Sequence, residues 1–371
     1  MKVAIVHDYL IQMGGAERVV EVLHSMFPQA PIYTTAAVEQ SKLLPGLQKA
    51  EIRTTWMQRI PRMDRHYKRM LPFYPVAIHQ FDLQEFDVVI SSSSAFVKGI
   101  KVPSHVFHLC YCHTPMRFAW DFDHYMEREA GSWLFKHMLR GYMGYLRKWD
   151  QRTSAHVDQF VANSNAVKER IKRCYHRDAD VIFPPVETSR FHISGKIEPF
   201  YLMVTRLVSY KRIDLAIDTF NRIGLPLRIV GGGPDLLRLK KMAKPNIQFL
   251  GRLSDEEVNR LMSTCKAFIF PGEEDFGITP LEVNAAGRPV IAYEAGGALD
   301  TIRPELNGIY FREQTPESLA RAVKALEWRE WDSNAIRQHA RSFDVESFKY
   351  HFQHYLVQKW SEFKERTQLV I

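Results

Sequence analysis

The chain has 371 residues, 46 % of them apolar and 25 % charged, a soluble globular composition with room for about two domains of ~150 residues each. The formal net charge is +8 and the sequence pI is about 9.2, a balance that favours anionic partners: phosphorylated ligands, anionic lipid or nucleic acid. No uninterrupted run of about 18 apolar residues occurs, so no membrane span is expected.

The first apolar run, "KVAIVHDYL", is short and reads as a buried parallel strand, not a secretory signal. A cytoplasmic protein with reduced thiols is expected. "GGAERVVEVLHSMF" follows, with Val19, Val20, Leu23 and Phe27 at helical spacing. The order is strand, glycine turn, helix. Further strands are predicted at "FDVVISSS", "VFHLCYCHT" and "QFVANS", and Ser164 is the expected N-cap of "SNAVKERIKR". "VIFPPVETSRFHISGKIEPF" breaks the alternation with its prolines and is the predicted linker. The alternation then restarts. Strand "YLMVTRL", helix "RIDLAIDTFNRI" and strand "LPLRIVGGGP" lead to "IQFLGRL" and to a helix whose capping box pairs Ser254 with Glu257. Strand "KAFIFPG", a helix starting at Thr279-Pro280 and stopping at Gly287, strand "PVIAY" and a helix with Thr315 as N-cap complete the series. Two successive βα series each suit a parallel sheet covered by helices. Ligands bind such sheets beyond the carboxyl ends of the strands.

Several strand-to-helix junctions carry residues suited to chemistry. Gly14-Gly15 opens a helix whose free amides suit a diphosphate; a tight turn is the plainer alternative. Neither this segment nor "GGGPDL" is GxGxxG, which counts against a nicotinamide dehydrogenase. Arg206 and Lys211 in "TRLVSYKR" form either a phosphate clamp or a pair of surface charges. In "EEDFGITPLE", Glu274 lies in the loop after a strand and Glu282 in the expected first turn of the next helix. The amides of Phe276, Gly277 and Ile278 can face an anion or sugar hydroxyls there. Paired acids beside a cationic clamp fit the binding of hydroxyls better than hydrolysis. His108, Cys110, Cys112 and His113 cluster in "HLCYCHTP", but one CxC without a second pair falls short of structural zinc. They read as half-buried strand residues. "DFD", Asp121 to Asp123, has the form of a DxD metal motif but lies far in sequence from the clamp, and metal ligation is not expected.

Glu274 to Glu282 with Phe276-Gly277 between them, Arg206 with Lys211, and Gly14-Gly15 together resemble the retaining GT-B glycosyltransferases of family 4. "ANSNAVKERI", "VIFPPVETSRF", "NIQFLGRLSDEEV" and "AAGRPVIAYEAGG" fit the same family in order, over nearly the whole chain. "HDYLIQMGGAERV" and "YCHTPMRFAW" look most like mannosyltransferases of bacterial surface polysaccharide synthesis. The resemblance implies two Rossmann-like doubly wound α/β domains facing across a cleft: residues 1–184 for the acceptor, with a final helix 346–371 crossing back, and 185–345 for the nucleotide sugar. It implies transfer of mannose from GDP-mannose to a lipid-diphosphate-linked saccharide, with no cofactor and no metal. His113, Arg206, Lys211 and Glu274 would be catalytic. Gly14, Gly15, Arg252, Phe276, Gly277, Ile278 and Glu282 would hold the donor, Glu282 through the ribose hydroxyls. Where the family often has Gly-Gly-x-x-Glu, this chain has "GGALD", with the shorter Asp300 in the acidic position. A UDP- or dTDP-sugar transferase, an epimerase or phosphorylase of the same fold, and a non-catalytic nucleotide-sugar-binding protein are the alternatives.

"WMQRIPRMDRHYKRMLPFYP", residues 56–75, interleaves Arg59, Arg62, Arg65, Lys68 and Arg69 with large apolar residues, and residues 133–149 repeat the pattern. The spacing predicts an amphipathic helical stretch interrupted near Pro61, either lying on anionic lipid at the inner face of the cell membrane or forming a solvated basic face over a core. No nucleic-acid-binding module is evident.

Overall fold

The computed structural model describes residues 1–122 and 133–368, which form two compact units. The first comprises Met1–Pro185 and the chain from Phe348 on; the second is Val186–Ser347.

The first unit is built on β1 (Val3–His7), β2 (Ile32–Thr34), β3 (Ile52–Thr54), β4 (Val88–Ser93), β5 (Phe107–Cys112), β6 (Gln159–Ala162) and β7 (Asp180–Val181). They form one parallel sheet in the order β3-β2-β1-β4-β5-β6-β7. Every residue of β1, β4 and β5 is buried, because helices and turns cover both faces. Val88 and Ile90 join Ile5 and Val20 on one face; Val89 joins Ala4 and Val6 on the other. The final helix, Val345–Gln368, lays Phe348, Phe352 and Leu356 against Val3, Ile5, Phe107 and Leu109. Beneath the turn after β4, Lys98 and Asp150 form a fully buried ion pair, and Trp120 Nε1 and Tyr175 Oη donate to Asp150 Oδ2 at 2.7 and 2.8 Å. Both charges are thus paired and bonded, the condition under which burial is tolerated.

The second unit repeats the plan with β8 (Tyr201–Val204), β9 (Leu227–Val230), β10 (Ile247–Gly251), β11 (Ala267–Phe270), β12 (Val290–Tyr293) and β13 (Gly308–Phe311). Their order is β10-β9-β8-β11-β12-β13, all parallel. Side-chain caps at Ser164, Ser254 and Thr315 stand at the helix starts that their sequence patterns predict. In both sheets the winding direction reverses once, between β1 and β4 and between β8 and β11. A doubly wound sheet opens a crevice at that switch point, beyond the strand ends.

The basic stretch differs from its prediction. Beyond the interruption expected near Pro61 it breaks into a chain of short turns: 3₁₀ at Trp56–Arg59, helix at Met63–His66, 3₁₀ at Tyr67–Phe73, helix at Tyr74–Ala77. Pro61, Pro72 and Pro75 lack the N–H a continuous helix needs, and Arg62 adopts a left-handed φ of 55°. Met57, Met63 and Tyr74 are buried, and Ile60, Tyr67 and Met70 pack against the core. Arg59, Arg62, Arg65 and Arg69 are exposed beside a Trp56–Phe73 edge-to-face pair. The Lys68 side chain lies outside the described residues. In the helix Trp133–Thr153, Met143 and Leu146 are buried while Met138 and Tyr145 are exposed.

Candidate active site

Each unit gathers a group of polar residues at its switch point. In the first unit β1 ends at His7, and Asp8 follows it. Asp8 is buried and accepts four backbone N–H groups from the loop after β4: Ser94 and Ala95 at 2.6 and 2.9 Å, Phe96 and Val97 at 2.7 and 3.0 Å. The carboxylate thereby locks one switch-point loop to the other. His7 pairs in register with Ser92 of the neighbouring strand. His7 Nδ1 lies 2.9 Å from the Ser92 carbonyl and 3.1 Å from Ser92 Oγ. Ser92 Oγ lies 2.7 Å from Nε2 of His113, which follows β5. Glu17 stands behind, with Oε1 4.0 Å from His7 Nε2.

These groups are all buried, and burial sets their charge. It pulls the His113 imidazole down to about 3, helped by His7 nearby. His113 is therefore neutral near pH 7. Burial also opposes the charge on His7, but Glu17 and Asp8 outweigh it and hold His7 above the usual range.

Gly14 is the N-cap of the helix Gly15–Met26, and both glycines are exposed. The Gly14 amide is already taken: it donates to Glu17 Oε2 at 2.9 Å in a capping box. With that carboxylate in the first turn, this helix end offers a diphosphate less than the sequence suggests.

Cys110 and Cys112 are fully buried in an apolar cluster instead of half-buried. His108 is committed to Ser91 Oγ and the His156 carbonyl, and His113 to Ser92. Asp121 is described, whereas Asp123 lies outside the described residues.

In the second unit the groups are more open. Past β8, Arg206 is exposed; its carbonyl accepts the Val208 N–H at 2.9 Å, and its guanidinium makes no hydrogen bond or ion pair to any described residue. Its loop is fixed by the Leu207 N–H, which donates to the Gly232 carbonyl at 3.0 Å. Arg252, past β10, is also exposed, and its Nε lies 3.7 Å from where a Cβ on Gly232 would stand. Lys211 ends the 3₁₀ turn Ser209–Lys211 and pairs with Glu274 of the loop after β11. Burial works against the ammonium, but Glu274 overrides it and raises the Lys211 pKa.

Two close backbone approaches hold this arrangement. A Cβ on Gly272 would stand 2.9 Å from the Lys211 Cα, and one on Gly297 would stand 2.2 Å from the Phe276 Cα. The Gly297 N–H donates to the Glu274 carbonyl at 2.8 Å. Only glycine lets these loops stack so closely. A Cβ on Gly296 would likewise stand 2.3 Å from the Glu274 carbonyl oxygen. Gly296 and Gly297 are therefore site residues in a supporting sense that sequence reading missed; the "EAGG" segment after a strand was the available signal.

The next helix runs Ile278–Ala285, capped by Gly277 in the left-handed region at φ 84°. It starts ahead of Thr279-Pro280, so Glu282 is its fifth residue and lies past the first turn, where the sequence placed it. Glu282 is half-buried. The Phe276 side chain is buried against Phe343, 6.1 Å between ring centroids, which leaves its backbone as the part facing the loop. Asp300 is buried in the short helix Ala298–Thr301. The second unit thus brings Arg206, Lys211, Glu274 and the Gly277 helix start to one switch point; the first brings His113 to Gly14 through His7 and Glu17.

Known proteins share this plan. The sequence profile of Glycosyltransferase Family 4 matches residues 13–190, and that of Glycosyl transferases group 1 matches residues 187–343. The O-antigen chain mannosyltransferase C of Escherichia coli is 28 % identical over 217 residues, 53 % of this chain and 58 % of its own length. The human Alpha-1,3/1,6-mannosyltransferase ALG2 is 25 % identical over 281 residues, 65 % of this chain and 64 % of its own length. The chain thus spans less than two thirds of either relative. Among solved structures, Anabaena Alr3699/HepE in complex with UDP superposes with a TM-score of 0.72 at 16 % identity, over 96 % of this chain and 100 % of that one. Sucrose-phosphate synthase from Thermosynechococcus elongatus gives a TM-score of 0.71 at 14 % identity, over 98 % and 100 %. With consecutive profiles spanning residues 13–343 and two doubly wound parallel-sheet units, the chain belongs to the GT-B glycosyltransferases of family 4.

Proposed function

We propose that this glycosyltransferase moves mannose from GDP-mannose to a lipid-diphosphate-linked saccharide, with retained anomeric configuration, in bacterial surface polysaccharide synthesis. The observation that carries the reading is the second unit's switch point, where Arg206, a cation with no side-chain partner among the described residues, shares a loop with Lys211, which pairs with Glu274 of the loop after β11. A sugar diphosphate brings two kinds of group, anionic oxygens and hydroxyls. Cations and a carboxylate answer them in turn. The C1–O bond to phosphate breaks, a C1–O bond to the acceptor forms, and the acceptor's hydroxyl proton passes to the departing phosphate. Arg206 and Lys211 stabilise the charge that develops there. Glu274 orients the sugar, and Glu282 takes the ribose hydroxyls. The mannosyl choice leans on the names of the relatives, an O-antigen chain mannosyltransferase and an Alpha-1,3/1,6-mannosyltransferase.

The enzyme works without a metal in this reading, because two cations already sit where the leaving charge appears. The exposed arginines beside Trp56 and Phe73 would hold it at the inner face of the membrane, where a lipid-linked acceptor is found. The test is turnover of purified protein with GDP-mannose, UDP- and dTDP-sugars against a lipid-diphosphate acceptor. GDP-mannose should be consumed, with or without EDTA. Consumption of a UDP- or dTDP-sugar in its place would reassign the donor. Tight nucleotide-sugar binding with no transfer would make the chain a binding protein.

A further inference from the structure

Ser92 sits fully buried at the end of β4, between two imidazoles. His7 Nδ1 is 2.9 Å from the Ser92 carbonyl oxygen. A carbonyl has no proton to give, so His7 carries its hydrogen on Nδ1 and donates it. The same N–H leans on Ser92 Oγ at 3.1 Å. The hydroxyl proton then has one acceptor in reach among the described residues: Nε2 of His113, at 2.7 Å. If His113 instead carried hydrogen on Nε2, the serine oxygen would face two donors, and its own proton would be buried with no acceptor. Buried polar groups in native proteins are seldom left so. His113 is therefore bare at Nε2 and protonated at Nδ1. Among the described residues, Nδ1 has no hydrogen-bond partner.

Behind this stands Glu17. One oxygen faces His7 Nε2 at 4.0 Å, and the other accepts the Gly14 N–H at 2.9 Å. The line Gly14, Glu17, His7, Ser92, His113 runs from the glycine loop to the imidazole, by hydrogen bonds except for the 4.0 Å charge contact between Glu17 and His7. We infer that Ser92, backed by His7 and Glu17, is a positioning residue that locks His113 in the Nδ1–H tautomer, so that the ring presents a hydrogen-bond donor, and not an acceptor, to an oxygen of the sugar donor. This rests on the reading of His113 as a residue that meets the transferred sugar. A neutral N–H donor suits a hydroxyl oxygen: it binds a lone pair without adding charge.

The experiment is long-range proton–nitrogen spectroscopy of the full chain, labelled in the histidine ring nitrogens, with His113→Gln identifying the His113 signals. No substrate is present. Wild type should show a pyrrole-type Nδ1 and a pyridine-type Nε2 at His113. Ser92→Ala should shift both towards the average of the two tautomers, and Ser92→Thr, which keeps the hydroxyl, should restore them. A protonated Nε2 in wild type, or a signal unmoved by Ser92→Ala, overturns the inference. If Ser92→Ala does not fold, the wild-type spectrum decides alone. In the transfer assay Ser92→Ala should lower kcat about tenfold, the scale of one hydrogen bond, with the KM for donor little changed. Failure of that assay in wild type would overturn the proposed function and leave the tautomer standing; the two failures are separable.

Discussion

At the switch point of the first unit, His7, Glu17, Ser92 and His113 are buried and bonded mainly to one another. At the switch point of the second unit, Arg206 is exposed, and Lys211 and Glu274 keep partial contact with solvent; Arg252, beyond the edge strand β10, is exposed as well. The topology is the same, yet the furnishing is opposite. Side chains orient the first group; stacked glycine loops orient the second. A buried imidazole held neutral is a donor for hydroxyls, whereas open guanidinium and ammonium groups are receptors for phosphate.

The largest effect that would test this contrast lies in the open unit. Lys211→Ala leaves Glu274 without its cation and, in the proposed reaction, removes a charge from the departing phosphate. Transfer should slow by about 10²–10³, and Arg206→Ala should behave alike. Steady-state kinetics on folded variants gives the answer. If both keep wild-type kcat/KM, the open unit is not the phosphate receptor and the contrast collapses.

The next effect belongs to the buried unit. His113 titrates near 3 and His108 near 4, both lowered by burial, from an unfolded value near 6.5. Each is neutral when folded and binds a proton on unfolding, so the stability they contribute is present above pH 6.5 and is lost as pH falls towards 4. The slope is about 1.4 kcal/mol per pH unit for each. His7 is raised, so its contribution is complete below pH 6.5 and adds no loss in that window. Amide hydrogen exchange at pH 7 and pH 5, corrected for the intrinsic rate, should show protection falling in β4 and β5 ahead of β8 and β11. Equal loss in both sheets would remove the distinction.

The βα order, the caps at Ser164, Ser254 and Thr315, and the strand-end placing of Arg206, Lys211 and Glu274 were all legible in the sequence, because each rests on residues a few positions apart. The histidine line was not. His7 and Ser92 are 85 positions apart and meet only through the parallel register of β1 on β4. The start of the Ile278 helix escaped for a local reason: Gly277 enters the left-handed region and lets the helix begin ahead of the Thr-Pro signal. Periodicity told only part of residues 56–75: the interruption near Pro61 was expected, but the spacings of three and four reflect several successive short turns packed on the core.

A smaller effect sharpens the second unit from within. Glu274, paired with Lys211 on the loop, should act on the sugar; Glu282, on the helix, should hold the nucleotide. Contacts made only in the transition state raise kcat, whereas contacts to the unchanged portion act on binding. Glu282→Ala should weaken nucleoside diphosphate by about 10–100-fold, the range for hydrogen bonds to a charged group. Glu274→Ala should leave that affinity nearly intact and lower kcat. Calorimetry beside turnover would expose a reversed assignment.

The smallest expected effect returns to the first unit's surface, where the contrast is inverted: there it is the exposed part that carries charge. Arg59, Arg62, Arg65 and Arg69 are exposed, while most of the apolar residues between them are spent on the core. What remains outside is Trp56, 37 % exposed, Phe73, 47 % exposed, and Val76, 65 % exposed. Aromatic rings suit the headgroup level of a bilayer, and arginines meet anionic lipid at about 1 kcal/mol per charge near the surface. Arg62→Ser should therefore weaken sedimentation with anionic vesicles about fivefold, and Arg65→Ser and Arg69→Ser should each add a similar step. Zwitterionic vesicles should bind weakly throughout. Since no more than a small apolar area is left exposed, charge has to supply most of the attraction, and raised salt should abolish it. Binding that ignores both salt and the arginines would assign this face to solvent, as the cover of a core and nothing more.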